Sequence, residues 1–83
     1  MSLLGATKES ILRELEGEPK HGYAIADAVD ISKGGVYSHL QDLEEAGMVT
    51  VDEIEEDGRG VKTYRLTEAG ELLVEAFKKA DET

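Results

Sequence analysis

A helix-sized segment with one apolar seam runs straight into a short hairpin, and few folds accommodate that order. Val36, Leu40 and Leu43 recur at helical spacing, and Gly47 ends the pattern. Two strand-like stretches follow, Met48-Val-Thr-Val-Asp-Glu-Ile54 and Val61-Lys-Thr-Tyr-Arg-Leu66, around Glu55-Glu-Asp-Gly-Arg-Gly60. Asp57-Gly58 is a strong tight-hairpin signal, because glycine accepts the positive φ that such turns need.

The segments on either side complete the pattern. A first helix is expected from residue 2 or 6 to 16, with Leu4, Ile11, Leu12 and Leu15 as its buried stripe and Gly17 as its stop. Glu18-Pro19-Lys20 reads as the connection, and residues 21–29 as a short second helix with Tyr23, Ile25, Ala26 and Val29 available for packing. Asp30-Ile31 turns the chain, and Ser32 is the expected N-cap of the third helix. The Ala26, Asp30, Val36 and Leu40 spacing suits a helix-turn-helix, although Asp30 stands where glycine is more usual. Residues 67–80 form the last helix, with Thr67 as N-cap and Glu68 in its first turn.

The fold class predicted is mainly α (α+β). It is a winged helix-turn-helix with a three-helix core, a two-stranded β-wing and a C-terminal helix. All 83 residues form one domain.

That last helix carries Ala69, Leu72, Leu73, Ala76, Phe77 and Ala80 in helical repeat, with Val74 beside them. The stripe is longer than a core of this size needs. Leu73, Val74 and Phe77, with Leu3 and Leu4, are therefore expected to join two subunits as a homodimer. The alternative is that the stripe simply packs on the first helix.

Composition excludes several classes. There is no cysteine, hence no disulfide framework and no thiolate chemistry. No apolar run approaches the roughly 18 residues of a membrane span, and the N-terminus lacks the basic region of a signal peptide, so a soluble cytoplasmic protein with no membrane partner is expected. His21 and His39 are the only imidazoles, and no metal-ligand spacing surrounds them. Ser38 and His39 are neighbours on one helix and point about 100° apart, which rules out a direct nucleophile–base pair. No catalysis and no cofactor are expected.

Charge is the awkward property. Nineteen acids against nine bases give −10, the wrong sign for a generic DNA binder. One reading is a protein working in very high salt, where the Debye length falls to about 3 Å at 1 M. Another is an acidic protein whose charge lies away from the DNA face. Residues 52–57 hold five acids in six positions, whereas Arg59, Lys62 and Arg65 follow with no acid among them. The hairpin is thus polarised.

With Val36, Leu40 and Leu43 inward, the third helix turns Gly34, Ser38, Gln41 and Glu45 outward, with Tyr37 on the flank. Ser38 and Gln41 can hydrogen-bond base edges, and Lys33 or Tyr37 can reach phosphate. Gly34-Gly35 offers amides near a helix N-terminus, a favourable place for a phosphate. Arg59 and Lys62 are the expected wing contacts to the backbone, while Arg65 can instead pair with the acidic strand or with the first turn of the last helix. The expectation is a sequence-specific regulator of transcription on double-stranded DNA, helix in the major groove and wing on the backbone. The rival reading is a winged-helix protein-interaction module that docks a basic partner and does not touch DNA.

Three blocks of the sequence support the first reading. His21-Gly22-Tyr23-Ala24-Ile25, then Gly35-Val36-Tyr37-Ser38-His39-Leu40 with Leu43-Glu44-Glu45-Ala46-Gly47-Met48-Val49, then Tyr64-Arg65-Leu66-Thr67-Glu68-Ala69-Gly70 together resemble the PadR family of transcriptional regulators. The resemblance covers residues 11–77. It implies a homodimeric winged-helix protein, usually a repressor, with the third helix and wing on DNA. The chain departs from the family in a short stretch between the second and third helices and in Ser38, where proline often follows the tyrosine. Its C-terminal region is a single helix, where larger members carry a long dimerisation domain. The resemblance leaves a small-molecule effector open.

Overall fold

In the computed structural model, residues 5–54 and 61–82 are described. Leu3, Leu4, Arg59 and the tight turn expected at 55–60 lie outside the described residues. The element order is α1 (Ala6–Glu14), β1 (Lys20–His21), α2 (Gly22–Val29), α3 (Lys33–Glu45), β2 (Val49–Ile54), β3 (Lys62–Leu66) and α4 (Glu68–Asp81). This is the winged-helix architecture. No helix among the described residues is long and apolar enough to cross a membrane.

Local chemistry sets the helix ends. Ser32 Oγ accepts from the Gly35 amide at 3.0 Å and opens α3. Asp30 closes α2 in the left-handed region at φ 58°, a conformation aspartate tolerates better than most residues. At the end of α3, Gly47 adopts φ 79°. Its amide donates to Glu44 O at 3.0 Å and the Met48 amide to Leu43 O at 2.9 Å, the paired bonds of a Schellman cap.

The next helix is clamped on that cap. Thr67 Oγ1 donates to Gly47 O at 2.5 Å and accepts from the Gly70 amide at 3.1 Å, while the Thr67 amide donates to Met48 O at 3.0 Å. One core fills the space between the elements. Ile11, Leu12 and Leu15 meet Ile25 and Ala26, then Val36, Leu40 and Leu43, and Val49, Tyr64, Leu66, Val74 and Phe77 close it.

Two expectations are corrected. The two-stranded wing, β2 and β3, stands as expected, but a third strand joins it in the order β1-β3-β2, all antiparallel. Lys20 and His21, expected in a connection and at a helix start, pair with Tyr64 and Thr63. Two residues with no apolar alternation carry no strand signal of their own; only the register with β3 makes them one.

The second correction concerns α4. Its buried line is Gly70, Val74 and Phe77, with Leu73 half-buried beside them. Val74 is 1% exposed and Phe77 9%, so both pack in the chain's own core. Leu72, expected in the stripe, is instead 61% exposed, and Ala69, Ala76 and Ala80 face outward with it. The helix carries two apolar lines side by side, and packing against the rest of the chain selects one of them.

Candidate nucleic-acid interface

The outward side of α3 is built by elimination. Val36, Leu40 and Leu43 are buried, which turns Lys33, Gly34, Ser38 and Gln41 to solvent. All four are exposed, and a Cβ at Gly34 would meet nothing within 4 Å. The Gly35 amide is taken by Ser32 Oγ, and the Val36 amide by Ser32 O at 2.9 Å. Of the first-turn donors, those of Lys33 and Gly34 therefore remain for a ligand, rather than the Gly34-Gly35 pair.

Tyr37 does not join that outward set. It is half-buried, and its ring lies so close to Gly22 that a Cβ there would sit 2.8 Å from the ring atoms. Its ring meets that of Tyr23 edge-on at 6.1 Å between centroids, and Tyr64 of β3 lies 6.5 Å away. Burial, with the neighbouring Tyr23, pushes the Tyr37 phenol above its ordinary pKa, so it stays a neutral donor at physiological pH. The Tyr37 ring thus packs between α2, α3 and the sheet.

Tyr23 moves the opposite way. Expected in the packing of α2, it is 46% exposed, and the Lys33 ammonium lies 4.7 Å from its ring centroid. It stands off the line that Gly22, Ile25, Ala26 and Val29 trace along α2. That offset was the available signal.

On the wing, Lys62 is exposed and opposite Ile54. Period-two alternation puts it on the strand face shared by Tyr64 and Leu66, farther out along the hairpin. Among the described residues it has no ion-pair partner. Arg65 does: its Nε lies 3.2 Å from Asp52 Oδ1. Asp52 is the extra residue of a bulge between the Val51–Tyr64 and Glu53–Thr63 pairs. The acidic strand therefore neutralises Arg65 and leaves Lys62 on the return strand. The expected Arg59 contact lies outside the described residues.

Most of the other described bases are occupied within the chain. Lys8 pairs with Asp42 at 3.3 Å and lies 3.0 Å from His39 Nδ1, tying α1 to α3. Arg13 pairs with Glu9 and Asp81, with its guanidinium over the Phe77 ring, and Asp81 above all raises its pKa. Lys20 pairs with Glu14, and Lys78 with Glu16. His21 Nδ1 lies 3.4 Å from Thr63 Oγ1 and braces β1 on β3. No group of three or more His, Cys, Asp or Glu among the described residues is placed to hold a metal ion.

The described cations are thus mostly absorbed by acids, while Lys33 on α3, Lys62 on the wing strand and Lys79 on α4 have no ion-pair partner among the described residues. Asp42, Glu44 and Glu45 crowd the far end of α3 and limit any phosphate footprint there. A groove of about 410 Å³ between Gly17 and α4 is lined chiefly by charge, with Glu16, Glu71, Glu75 and Glu82 around Leu66 and Val74. That lining is more charged than the pockets that hold small ligands.

Comparison with known proteins agrees with this geometry. Residues 11–76 match the transcriptional regulator PadR-like family. An uncharacterised HTH-type transcriptional regulator from Methanocaldococcus jannaschii is 33% identical over 67 residues, covering 81% of this chain and 70% of that protein. A PadR family transcription regulator from Clostridium difficile R20291 superposes with a TM-score of 0.79 at 26% identity, covering 92% of this chain and 86% of that one. Lactococcus lactis ZitR gives a TM-score of 0.82 at 24% identity over 95% of this chain, which spans 59% of its length. The S. aureus MepR–DNA complex gives 0.82 at 22% identity over 94% of this chain, which spans 64% of it. These last two likenesses concern the fold alone. The family match takes in α2, α3, the wing and most of α4, the elements that build the exposed helix and hairpin, and the chain belongs to the PadR-like family of transcriptional regulators.

Proposed function

We propose that this regulator binds double-stranded DNA with α3 in the major groove and the wing on the backbone, and that it acts as a repressor. The observation that carries this reading is the selective exposure of Lys33, Gly34, Ser38 and Gln41 on α3 and Lys62 on β3, in a chain whose other described bases are mostly paired with acids. Ser38 and Gln41 supply base-edge hydrogen bonds, and Lys33, Lys62 and Arg59 supply phosphate contacts. A homodimer fits such a short domain, because two half-sites double the contacts. The outward line of Ala69, Leu72, Ala76 and Ala80 on α4, with Leu73 at its margin, is the face offered to a second copy. The site of action is the cytoplasm.

The test is fluorescence anisotropy with a labelled duplex from the region upstream of the protein's own gene, in about 0.1 M and about 2 M KCl. Saturable binding that the same unlabelled duplex displaces better than a scrambled one is the expected result. Absence of binding at both salts overturns the reading in favour of the protein-interaction module.

The charge supports a working environment of high salt. Six of the sixteen acids among the described residues have ion-pair partners there. With Glu55, Glu56 and Asp57 outside the described residues, ten more have none among those described, including Glu44, Glu45, Glu68, Glu71 and Glu75. Two like charges about 10 Å apart repel by roughly 0.4 kcal/mol in water before screening. Several such neighbours, screened at a Debye length of about 10 Å in 0.1 M salt and about 3 Å at 1 M, sum to a relief on the order of 1 kcal/mol. Exposed ion pairs weaken in parallel but contribute little to begin with. The melting temperature is therefore expected to rise by about 4–8 °C between 0.1 M and molar KCl. A calorimetric melt that stays flat or falls with salt overturns adaptation to brine.

A further inference from the structure

Lys33 is the one lysine of α3, and its long side chain is free to wander unless something holds it. The structure supplies a holder. The ammonium lies over the exposed ring of Tyr23, which comes from a different helix, at 4.7 Å from the centroid. Tyr23 in turn stands edge-on to Tyr37, and Tyr37 is wedged over Gly22 with Tyr64 of β3 beside it. Three rings thus run from the first residue of α3 to the strand that carries Lys62. Packing fixes the inner two. Only the outermost is exposed, and a lysine occupies its face.

We propose that Tyr23 is a positioning residue for DNA binding, holding the Lys33 ammonium beside the first turn of α3, where the Lys33 and Gly34 amides also remain for a phosphate. This rests on the DNA-binding reading above. A cation over an aromatic face is favoured by the ring quadrupole, yet at an exposed site the attraction stays weak enough for the ammonium to turn toward an anion. The ring narrows the lysine's search without neutralising it, which a carboxylate in the same place would do. In a chain of charge −10, that distinction matters. The acids that engage Lys8, Arg13, Lys20, Arg65 and Lys78 make those bases poor phosphate ligands, whereas Tyr23 holds Lys33 without a compensating carboxylate.

Two measurements on the full chain test it. In the free protein, the Lys33 ε-methylene protons are expected upfield by ring current, a shift kept in Tyr23→Phe and lost in Tyr23→Leu. In anisotropy with the upstream duplex, Tyr23→Phe binds like the parent. Tyr23→Leu binds about two- to fivefold more weakly, the value of an exposed cation–π contact converted to affinity. Lys33→Ala lowers the slope of log K against log salt by about 0.9 per bound chain. The double variant Tyr23→Leu/Lys33→Ala is no weaker than Lys33→Ala, because the tyrosine acts only through the lysine.

Leucine keeps apolar bulk at a half-exposed position, and a melt of each variant checks that it is folded. Additive losses in the double variant, a Tyr23→Leu chain that binds like the parent, or no ring-current shift each overturn the assignment while leaving the DNA-binding reading intact. A parent chain that binds no duplex overturns that reading, and the positioning role with it.

Discussion

A Gly70→Ala chain is expected to melt roughly 8–16 °C below the parent, a large effect for a single methyl group. The first turn of α4 sits directly over the Schellman cap of α3, and a Cβ at Gly70 would lie 2.1 Å from Met48 O. The obstacle is backbone. Met48 O already accepts from the Thr67 amide at 3.0 Å, and Thr67 Oγ1 holds Gly47 O, so the carbonyl cannot swing aside without breaking the clamp. Leu66 Cδ2 is 3.2 Å from the same point and crowds it further.

Overpacking of this kind costs about 3 kcal/mol. Alanine's better helix propensity returns roughly 0.5–1 kcal/mol, leaving a net loss of about 2 kcal/mol. Thermal unfolding followed by circular dichroism reads it directly. Glu71→Ala, one position on and exposed, is the control and is expected to stay within about 0.5 kcal/mol of the parent. A Gly70→Ala melt within about 3 °C of the parent would show that α4 is not clamped as described.

The same contacts explain what two of the family-like sequence blocks do. Leu43-Glu-Glu-Ala-Gly47-Met48 and Leu66-Thr67-Glu-Ala-Gly70 look like separate signatures, and the structure makes them the two halves of one joint. Cap chemistry of this sort is legible in a linear sequence because Ser32, Thr67 and Gly47 each act within a few residues of themselves. The seam of α3 was legible for the same reason.

What was not legible depends on partners distant in sequence. Lys20-His21 is a strand only because Tyr64 and Thr63 lie beside it. Val74 and Phe77 are core because the rest of the chain packs on that side of a helix with two apolar lines. Tyr37 turns inward because Gly22 leaves room for its ring, and Tyr23 stays outside. In the interface itself, the exposed set on α3 follows from the seam by subtraction. The loss of Arg65 to Asp52 was foreseeable as a pairing with the acidic strand, but its partner became visible only with the register and its bulge.

Lys62→Ala and Gln41→Ala are expected to damage DNA binding in different ways, and the difference is more informative than either loss. Lys62 is an exposed cation on the wing strand with no ion-pair partner among the described residues. A phosphate contact there releases a counterion, so its removal lowers affinity for every duplex alike and drops the slope of log K against log salt by about 0.9 per bound chain. Gln41 carries no charge and stands exposed on α3, three residues beyond Ser38 and beside the acids that begin at Asp42. Its amide presents a donor and an acceptor together, the pattern that pairs with an adenine edge in the major groove. Gln41→Ala should therefore leave the salt slope unchanged and erase about 1–3 kcal/mol of discrimination at one base pair. Anisotropy against the operator and a set of single-base variants, each across a salt series, separates the two signatures. Equal slopes and unchanged affinity in both variants would remove α3 and the wing from the DNA interface. A slope change in Gln41→Ala, or a change of base preference in Lys62→Ala, would exchange the two roles and place the wing, not the helix, over the base edges.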